Sequence, residues 1–281
     1  MFRIVRKKEL NPSVTLMELE APYIAAKAKP GQFVIFRVDE QGERVPLTLA
    51  GCDPEKGTVT LIFQLVGRST QKLAAREEGE SILDLVGPLG LPTTLPESVK
   101  RICVIGGGVG CAIAYPQAKA FHAQGLHVDV IAGFRSKDIV ILEEEFRSHS
   151  SELILCTDDG SYGQKGFVTD ALKARIESGI QYDAVIAIGP IPMMKFVCLL
   201  TKEYGIPTIV SLNPIMVDGT GMCGGCRVTV DGRVRYACVE GPDFDGHLVD
   251  FDELMRRNNT FREREAECRM MRAAEQAANR R

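Results

Sequence analysis

The sequence has no uninterrupted apolar run as long as the roughly 18 residues that a membrane-spanning helix requires. Its best candidate, residues 102–116, is shorter and is interrupted by glycines. The N-terminal segment MFRIVRKKEL lacks the apolar stretch and the small-residue cleavage site of a secretory signal peptide. Basic residues are not in excess either, because the formal net charge is −3, which argues against nucleic acid or an anionic membrane as the main partner. We therefore expect a cytoplasmic protein that neither spans a membrane nor binds nucleic acid.

Periodicity divides the chain, which at 281 residues is long enough for two or three modules. The first part consists of short β-rich runs separated by Gly, Pro and Asp turns, which predicts a small antiparallel barrel interrupted by a helix at residues 69–76. The predicted barrel strands are residues 15–20, 33–38, 47–50, 58–65 and 81–86.

Between residues 101 and 212, apolar strands alternate with helical stretches, which predicts a parallel doubly wound sheet. The predicted strands are RICVIG, HVDVIAG, ELILCT, DAVIAIG and PTIVSL, and the predicted helices are residues 110–124, 138–149, 167–178 and 192–204. Residues 213–242 are rich in Gly and Cys and contain one hairpin, RVTVDGRVRYAC, with an Asp-Gly turn. From Asp252 onward the chain is charged and free of Gly and Pro, which predicts a helix followed by a frayed tail.

A glycine-rich loop follows the first strand of the predicted sheet and opens a helix. Backbone N–H groups and the helix dipole could hold a pyrophosphate there, although a tight turn without a ligand is the alternative. The usual G-x-G-x-x-G pattern is broken, because Cys111 occupies the third glycine position. The loop residues are Gly107, Gly108, Val109 and Gly110.

The second predicted strand is not followed by the acidic residue that usually binds the ribose of NAD. Gly133-Phe134-Arg135 stands there instead. Arg135, Ser136 and Lys137 lie where the 2′-phosphate of NADP would bind. The residues therefore do not decide between NAD and NADP.

Two groups of residues in the barrel could bind a phosphate-containing ligand. One strand carries a guanidinium, a rigid proline and a hydroxyl, and a Gly, Ser and Thr sequence about twenty residues later opens a helix. A surface arginine and an ordinary helix cap are the alternative. The residues are Arg44, Pro46, Leu47 and Thr48 on the strand and Val66, Gly67, Arg68, Ser69 and Thr70 at the helix start.

Three of the nine cysteines, Cys223, Cys226 and Cys238, lie within 16 residues, and four residues separate Cys223 from Asp218. The pattern D-x4-C-x2-C-x11-C is the plant-type [2Fe–2S] spacing with Asp at the first Cys position. A zinc site with Asp as fourth ligand and free buried thiols are the alternatives. The other six cysteines are scattered singly, often in apolar segments, where a small buried side chain is the usual role.

Taken in this order, the barrel motifs R-x-P-L-T and G-x-S-T and the loop GGGVG resemble the ferredoxin–NADP reductase family over residues 1–212. The resemblance implies a six-stranded barrel in which Arg44 and Thr48 hold FAD, a helix start that takes the FAD pyrophosphate, and a sheet that binds NAD(P). One departure is Leu47, which replaces the usual aromatic residue, so the flavin would meet an aliphatic face. Further matches are residues 87–90, the run 158–161 with Asp159 and Gly160, and Gly189 with Pro190.

With the cysteine pattern added, the chain resembles the electron-transfer subunits of two heteromeric oxidoreductases. One is dihydroorotate dehydrogenase, whose subunit typically has four cluster cysteines. The other is the NADH-dependent ferredoxin:NADP oxidoreductase, a flavin-based electron-bifurcating complex. The small subunit of the latter is more similar in E-R-V-P-L-T, in G-R-S-T, in the aspartate ligand and in the tail motif at residues 241–255.

This resemblance implies four parts: an FAD-binding β-barrel (1–97), an NAD-binding α/β domain (98–212), a [2Fe–2S] module (213–245) and a helical tail (246–281). It implies Thr48 near flavin N5, where its hydroxyl would tune hydride transfer, and a cluster held by Asp218, Cys223, Cys226 and Cys238. It also implies FAD, NAD(H) and a larger flavin and iron–sulfur partner subunit that receives or supplies single electrons. A dihydroorotate dehydrogenase subunit and an NAD- or zinc-binding redox sensor remain the alternatives.

Overall fold

The computed structural model describes the backbone of residues 1–278 and the side chains of residues 1–268, 270 and 271. Part of the frayed tail that the sequence predicts, residues 279–281, lies outside the described residues. None of the helices within residues 1–278 combines the length and the apolar character needed to cross a membrane.

The N-terminal part is an antiparallel sheet in the order β6-β1-β2-β5-β4-β3-β7. Because β6 and β7 follow each other in the chain and bond to opposite edges of this sheet, the sheet closes into a barrel. Val59, Leu61 and Phe63 alternate along β5 and are almost fully buried inside it. The elements are β1 (Phe2–Asn11), β2 (Val14–Glu20), α1 (Pro22–Ala25), β3 (Phe33–Arg37), β4 (Val45–Asp53), β5 (Thr58–Gln64), α2 (Arg68–Ala74), β6 (Ser81–Ile82) and β7 (Asp84–Leu89).

The next part is the predicted doubly wound sheet, with five parallel strands in the order β10-β9-β8-β12-β13. Alternate residues of β8 enter two cores: Cys103 and Ile105 pack with α5 and α6, and Ile102 and Val104 pack with α3. The elements are β8 (Arg101–Gly107), α3 (Cys111–Ala123), β9 (His127–Phe134), α4 (Glu143–Ser148), β10 (Glu152–Thr157), β11 (Gln164–Lys165), α5 (Val168–Glu177), β12 (Ala184–Ile188), α6 (Ile191–Glu203) and β13 (Thr208–Ser211). The predicted fold class, a barrel followed by a doubly wound sheet, is confirmed.

One helix of the sheet domain is shorter than predicted. The sequence predicts a helix over residues 138–149, whereas α4 begins only at Glu143. Val140 is extended and Leu142 has a left-handed φ of 60°, so the backbone of residues 140–142 cannot continue a helix.

The C-terminal part begins with the predicted hairpin. Asp231 and Gly232 have φ values of 53° and 66°, as a type I′ turn requires. The tail has two helices, because α8 ends before Asn259 and α9 begins at Arg262. The elements are β14 (Arg227–Val230), β15 (Arg233–Tyr236), α7 (Ala237–Glu240), β16 (Asp243–Asp245), α8 (Phe251–Asn258) and α9 (Arg262–Ala278).

The C-terminal part packs on both preceding parts. Strand β16 bonds antiparallel to β13 at the edge of the parallel sheet. Cys226, Cys238 and Met216 share one apolar core with Phe33 and Ile35 of the barrel. The domain limits at residues 97, 212 and 245 stay predictions.

Candidate functional site

The strand that carries the first predicted flavin motif is β4, and Arg44, Pro46, Leu47 and Thr48 are all half-buried at its start or just before it. Thr48 lies opposite Phe33 of β3. The Arg44 guanidinium reaches across to the C-terminal part, donating from Nε to the carbonyl of Val217 at 3.0 Å and from Nη2 to that of Asp218 at 3.3 Å. The predicted flavin strand and the predicted cluster loop therefore meet at Arg44.

The second predicted flavin motif lies at the start of α2. Gly67 is the extended residue before the helix, and its N–H donates to Thr70 Oγ1 at 3.2 Å, so the Thr70 side chain caps the helix. Val66 and Arg68 flank Gly67 at the surface. Ser69 Oγ donates to Glu43 Oε2 at 2.7 Å, so its hydroxyl already has a carboxylate partner.

The glycine loop lies at the carboxyl end of β8, between β9 and β12, where the direction of strand order reverses. Ligands of doubly wound sheets bind at this switch point. A Cβ on Gly110 would lie 2.5 Å from the Ile188 carbonyl oxygen, and a Cβ on Gly107 would collide with the Met193 sulfur. A Cβ on Gly189 would lie 3.1 Å from the backbone Cα and N atoms of Gly107. The backbone segments of this crevice therefore pack too closely for side chains.

The remaining crevice residues play distinct local roles. Gly108, with a φ of 56°, and Val109 form a 3-10 turn with Gly110 that leads into α3, and Pro190 precedes α6. Cys111 packs its sulfur on Gly106, which explains how a thiol replaces the third glycine. Burial raises the pKa of the Cys111 thiol far above its usual range, so this cysteine is a packing residue.

The loops after β9 and β10 are joined at the same edge of the sheet. Asp159 Oδ1 accepts from the Ser161 hydroxyl at 2.6 Å and from its N–H at 2.9 Å, which lowers the pKa of Asp159. Gly160 has a φ of 76° in this turn. Ser161 Oγ in turn accepts from the N–H of Lys137 at 2.8 Å. Asp159 therefore shapes the loop that faces the end of β9.

Sequence reasoning missed Asp138 in this region. Its Oδ1 accepts from Ser136 Oγ at 2.5 Å, which brings a carboxylate to the end of β9. Lys137 turns instead toward Tyr162, with its ammonium 5.3 Å from the ring centroid. The acidic residue of the usual dinucleotide pattern directly ends the second strand, whereas Asp138 lies four residues beyond Phe134, the last residue of β9. The S-x-D spacing of Ser136 and Asp138 is the sequence feature that indicates this carboxylate.

The four predicted cluster ligands belong to the loop before β14 and to α7. Cys226 and Cys238 are buried with their sulfurs 3.2 Å apart and are not joined by a disulfide. Cys223 is exposed, and its sulfur accepts from the Gly225 N–H at 3.5 Å. Among the described residues no three His, Cys, Asp or Glu side chains are gathered closely enough for a bound metal ion. Of the four predicted ligands, Cys226 and Cys238 therefore lie close together, whereas Cys223 is exposed at the surface.

The carboxylate of Asp218 has partners of its own within the loop. Its Oδ1 accepts from the Thr220 N–H and its Oδ2 from the Cys223 N–H, both at 2.8 Å. The Thr220 hydrogen bond is the main reason that the pKa of Asp218 is lowered, so the group is an anion at neutral pH.

These donors fit an iron–sulfur cluster. Burial, together with the neighbouring Cys226 thiol, raises the pKa of Cys238 to about 12, which a bound cation would reverse because it stabilises thiolates. Two thiolates on one tetrahedral metal lie roughly 3.8 Å apart, so the 3.2 Å pair would need to open only slightly. Gly219, Gly221 and Gly224, with φ values of 80°, 83° and 66°, allow the loop to fold around such a group.

Comparisons with known proteins agree with this arrangement. Residues 213–250 match the family model of the iron–sulfur cluster binding domain of dihydroorotate dehydrogenase B. The chain is 53% identical over 277 residues to an uncharacterised protein of Clostridium beijerinckii, with 96% of this chain and 94% of the relative covered. It is 46% identical to a homologue of the dihydroorotate dehydrogenase B (NAD(+)) electron transfer subunit of Thermotoga maritima, with 93% and 92% covered.

A solved structure is similar to this chain over nearly its whole length. A chain of the NADH-dependent reduced ferredoxin-NADP oxidoreductase, from work on flavin-based electron bifurcation, matches with a TM-score of 0.89 and 45% identity. The match covers 95% of each chain, and it confirms the predicted resemblance to that group. The chain therefore belongs to the family of the dihydroorotate dehydrogenase B electron transfer subunits and their homologues.

Proposed function

We propose that this chain is the electron-transfer subunit of a heteromeric, electron-bifurcating NADH-dependent ferredoxin:NADP oxidoreductase. The observation that carries the proposal is the 45% identity, over 95% of both chains, to a chain of the NADH-dependent reduced ferredoxin-NADP oxidoreductase. In such a subunit FAD exchanges a hydride with NAD(H), and a [2Fe–2S] cluster carries its electrons singly. A cytoplasmic location is part of the proposal, because the close, unbonded Cys226 and Cys238 thiols suit a reducing compartment.

The residues of the barrel would hold the flavin. Arg44 would supply a fixed positive charge and Thr48 a half-buried hydroxyl near flavin N5, with Pro46 and Leu47 forming an aliphatic face. The residues around the start of α2 would lie along the FAD phosphates, and Gly67 leaves them room because its missing side chain faces open space. Thr48 would donate or accept one hydrogen bond without transferring a proton.

The crevice between β8 and β12 would admit the nicotinamide nucleotide. Gly107, Gly110 and Gly189 keep side chains out of this crevice, so backbone N–H groups can approach a pyrophosphate. Asp159 and Gly160 shape the loop beside the end of β9. These roles rest on the switch-point position of the crevice.

An exposed apolar collar around Cys223 would bind the larger partner subunit. Ile215, Val217, Met222 and Val239 surround the cluster loop, and Met222 is 89% exposed. Exposed apolar side chains next to a redox centre favour a protein partner that covers them. Cys223 also lies at the surface, so electrons would cross this collar over a short distance.

The proposal predicts about one FAD, two irons and two sulfides per chain in protein purified without air. NADH should bleach the flavin in a stopped-flow experiment, because the crevice and the barrel edge would hold donor and acceptor together. Protein that contains zinc in place of iron, or no flavin, would overturn the proposal and favour a redox sensor.

A second prediction concerns nucleotide choice. The Asp138 carboxylate at the end of β9 would lie near the 2′-phosphate of a bound NADPH, and two like charges repel each other there. We expect Asp138→Asn to raise the ratio of NADPH to NADH flavin-reduction rates about tenfold. Glu55→Gln, at an exposed barrel turn, should leave the ratio unchanged. A wild-type preference for NADPH would contradict the NAD assignment and indicate Arg135 or Lys137 as phosphate ligands.

An electron transfer subunit of dihydroorotate dehydrogenase is the second candidate. It is favoured by the family model that matches residues 213–250 and by relatives such as the 33% identical subunit of Fusobacterium nucleatum. Asp218 at the position of a fourth thiolate favours the first candidate. Isolation of the native complex decides between them, because the partner either oxidises dihydroorotate or exchanges electrons with ferredoxin and NADP.

A further inference from the structure

Arg44 joins two parts of the chain that are far apart in sequence. It lies just before β4, and its Nε donates at 3.0 Å to a carbonyl 173 positions later, that of Val217. Its Nη2 donates at 3.3 Å to the carbonyl of the next residue, Asp218. The two hydrogen bonds fasten the first residues of the cluster loop to the strand that would hold the flavin.

These two bonds leave the guanidinium able to bind an anion as well. A guanidinium has five N–H donors in a planar fork. Arg44 uses one Nε–H and one Nη2–H for the loop, so three N–H groups remain for a flavin phosphate. The flavin role and the loop contact are therefore compatible.

A second contact seats the same loop on the barrel. Gly219 has a φ of 80°, and a Cβ at this position would lie 2.8 Å from Ile35 Cδ1 and 2.7 Å from Leu89 Cδ1. The left-handed φ favours glycine here, and any other residue would also displace the Ile35 and Leu89 side chains. Residues 217–219 thus lie directly against the barrel.

The contact continues from Arg44 to the cluster ligands. Arg44 holds the Asp218 carbonyl, and the Asp218 carboxylate holds the N–H of Cys223 at 2.8 Å. A change in the guanidinium therefore reaches two of the four proposed ligands through hydrogen bonds. Lysine cannot reproduce this link, because its single ammonium cannot hold two carbonyls in a fixed fork.

We infer that Arg44 is a positioning residue for the [2Fe–2S] cluster in addition to its flavin role. It fixes the backbone of the cluster loop at Val217 and Asp218, and the loop depends on it even when flavin is absent. The inference rests on the proposed function, because it requires a chain that carries both groups.

The test compares cluster stability in protein from which FAD has been removed. Wild type, Arg44→Lys and Arg6→Lys are freed of FAD, and the decay of cluster absorbance in the presence of a chelator is followed. Lysine keeps the charge but cannot hold both carbonyls. Loss of one of the two charge-assisted hydrogen bonds should make the cluster of Arg44→Lys decay roughly tenfold faster than that of wild type. The EPR signal of the reduced variant should also shift or broaden. Arg6→Lys should behave as wild type, because Arg6 is an exposed arginine of β1 that bonds to Glu18 of β2 and not to the loop.

A second variant, at Gly219, disturbs the contact between the cluster loop and the barrel without changing the Arg44 guanidinium. Gly219→Ala should accelerate decay as well, because it lifts the loop from Ile35 and Leu89. Equal decay rates and EPR spectra for FAD-free wild type and Arg44→Lys would overturn the inference and leave Arg44 a flavin ligand alone. Wild type without a [2Fe–2S] cluster would instead overturn the proposed function, and the inference with it.

Discussion

Asp218→Ala is expected to lose the [2Fe–2S] cluster or to hold it only briefly, whereas Asp218→Cys is expected to keep it at a lower midpoint potential. The spacing places the Asp218 carboxylate where a fourth thiolate normally binds iron. Oxygen donates less charge to iron than thiolate does, so an aspartate ligand stabilises the oxidised cluster less and raises its potential. Restoring the four-thiolate set should reverse that effect.

The structure gives Asp218 a second role that the experiment must separate from ligation. Its two oxygens accept the backbone N–H groups of Thr220 and Cys223, and the alanine variant loses these bonds whether or not the residue binds iron. Cysteine lacks both acceptor oxygens but can bind iron. A stable cluster with a shifted potential in Asp218→Cys therefore indicates ligation, and an unstable one indicates that the loop contacts matter more.

The measurements are iron and sulfide content, the EPR spectrum of the reduced protein and a redox titration of each variant. Thr220→Ala is the matched control, because it keeps the backbone N–H that Asp218 accepts and removes only an exposed side chain. If Asp218→Ala retained a full cluster with unchanged spectrum and potential, another residue or a water molecule would have to be the fourth ligand.

The parallel sheet could be predicted from the sequence because its strands are buried on both faces. Strand β8 is an apolar run whose residues Ile102 to Ile105 are fully buried, and such runs are distinct from the surrounding helices. Strand β1 was missed for the opposite reason. Ile4 is its one buried residue, and the charged side chains of RKKE give no alternation to detect.

The contacts that join the three parts could not be predicted, because they depend on tertiary packing. Strand β16 exists through its pairing with β13, in which Asp243 lies opposite Ser211, and its three residues carry no strand signal of their own. The Arg44 contact with Val217 spans 173 positions. Motif spacing predicts candidate residues within each short segment, whereas the link between β4 and the cluster loop depends on the tertiary fold.

Asp243 is one of the residues at this junction. Its Oδ2 accepts from the Thr93 hydroxyl at 2.5 Å, and Thr93 in turn donates its N–H to the Pro30 carbonyl in the barrel at 3.0 Å. The other oxygen, Oδ1, is buried and has no hydrogen-bond partner among the described residues. Burial raises the pKa of Asp243 from 3.8 to about 6, although the Thr93 and Ser211 hydroxyls oppose the rise.

Because its pKa is raised in the folded state, ionised Asp243 lowers the free energy of unfolding at neutral pH. Well below pH 3.8 the carboxyl is protonated in both states and contributes nothing. Between pH 4 and about 6 the unfolded chain ionises first, so the free energy of unfolding falls as the pH rises, and the full penalty persists above pH 6. The pKa values of 3.8 and about 6 correspond to about 3 kcal/mol at about 1.4 kcal/mol for each tenfold change in proton affinity.

Asp243→Asn should therefore stabilise the protein at pH 8 and do so much less near pH 4.5, where only part of the penalty has developed. The amide keeps an oxygen for the Thr93 hydroxyl and cannot ionise, so we expect a gain of about 1–2 kcal/mol at pH 8 after the cost of its unpaired N–H groups. For a chain of this size that gain raises the melting temperature by roughly 2–4 °C. Asp245→Asn is the control on the same strand, because Asp245 is exposed and asparagine caps the following turn equally well. Melting curves of the three proteins at pH 4.5 and pH 8 measure the effect. An Asp243→Asn protein that melts at or below the wild-type temperature at pH 8 would mean that Asp243 is stabilising as an anion, with a cation or a water molecule at Oδ1.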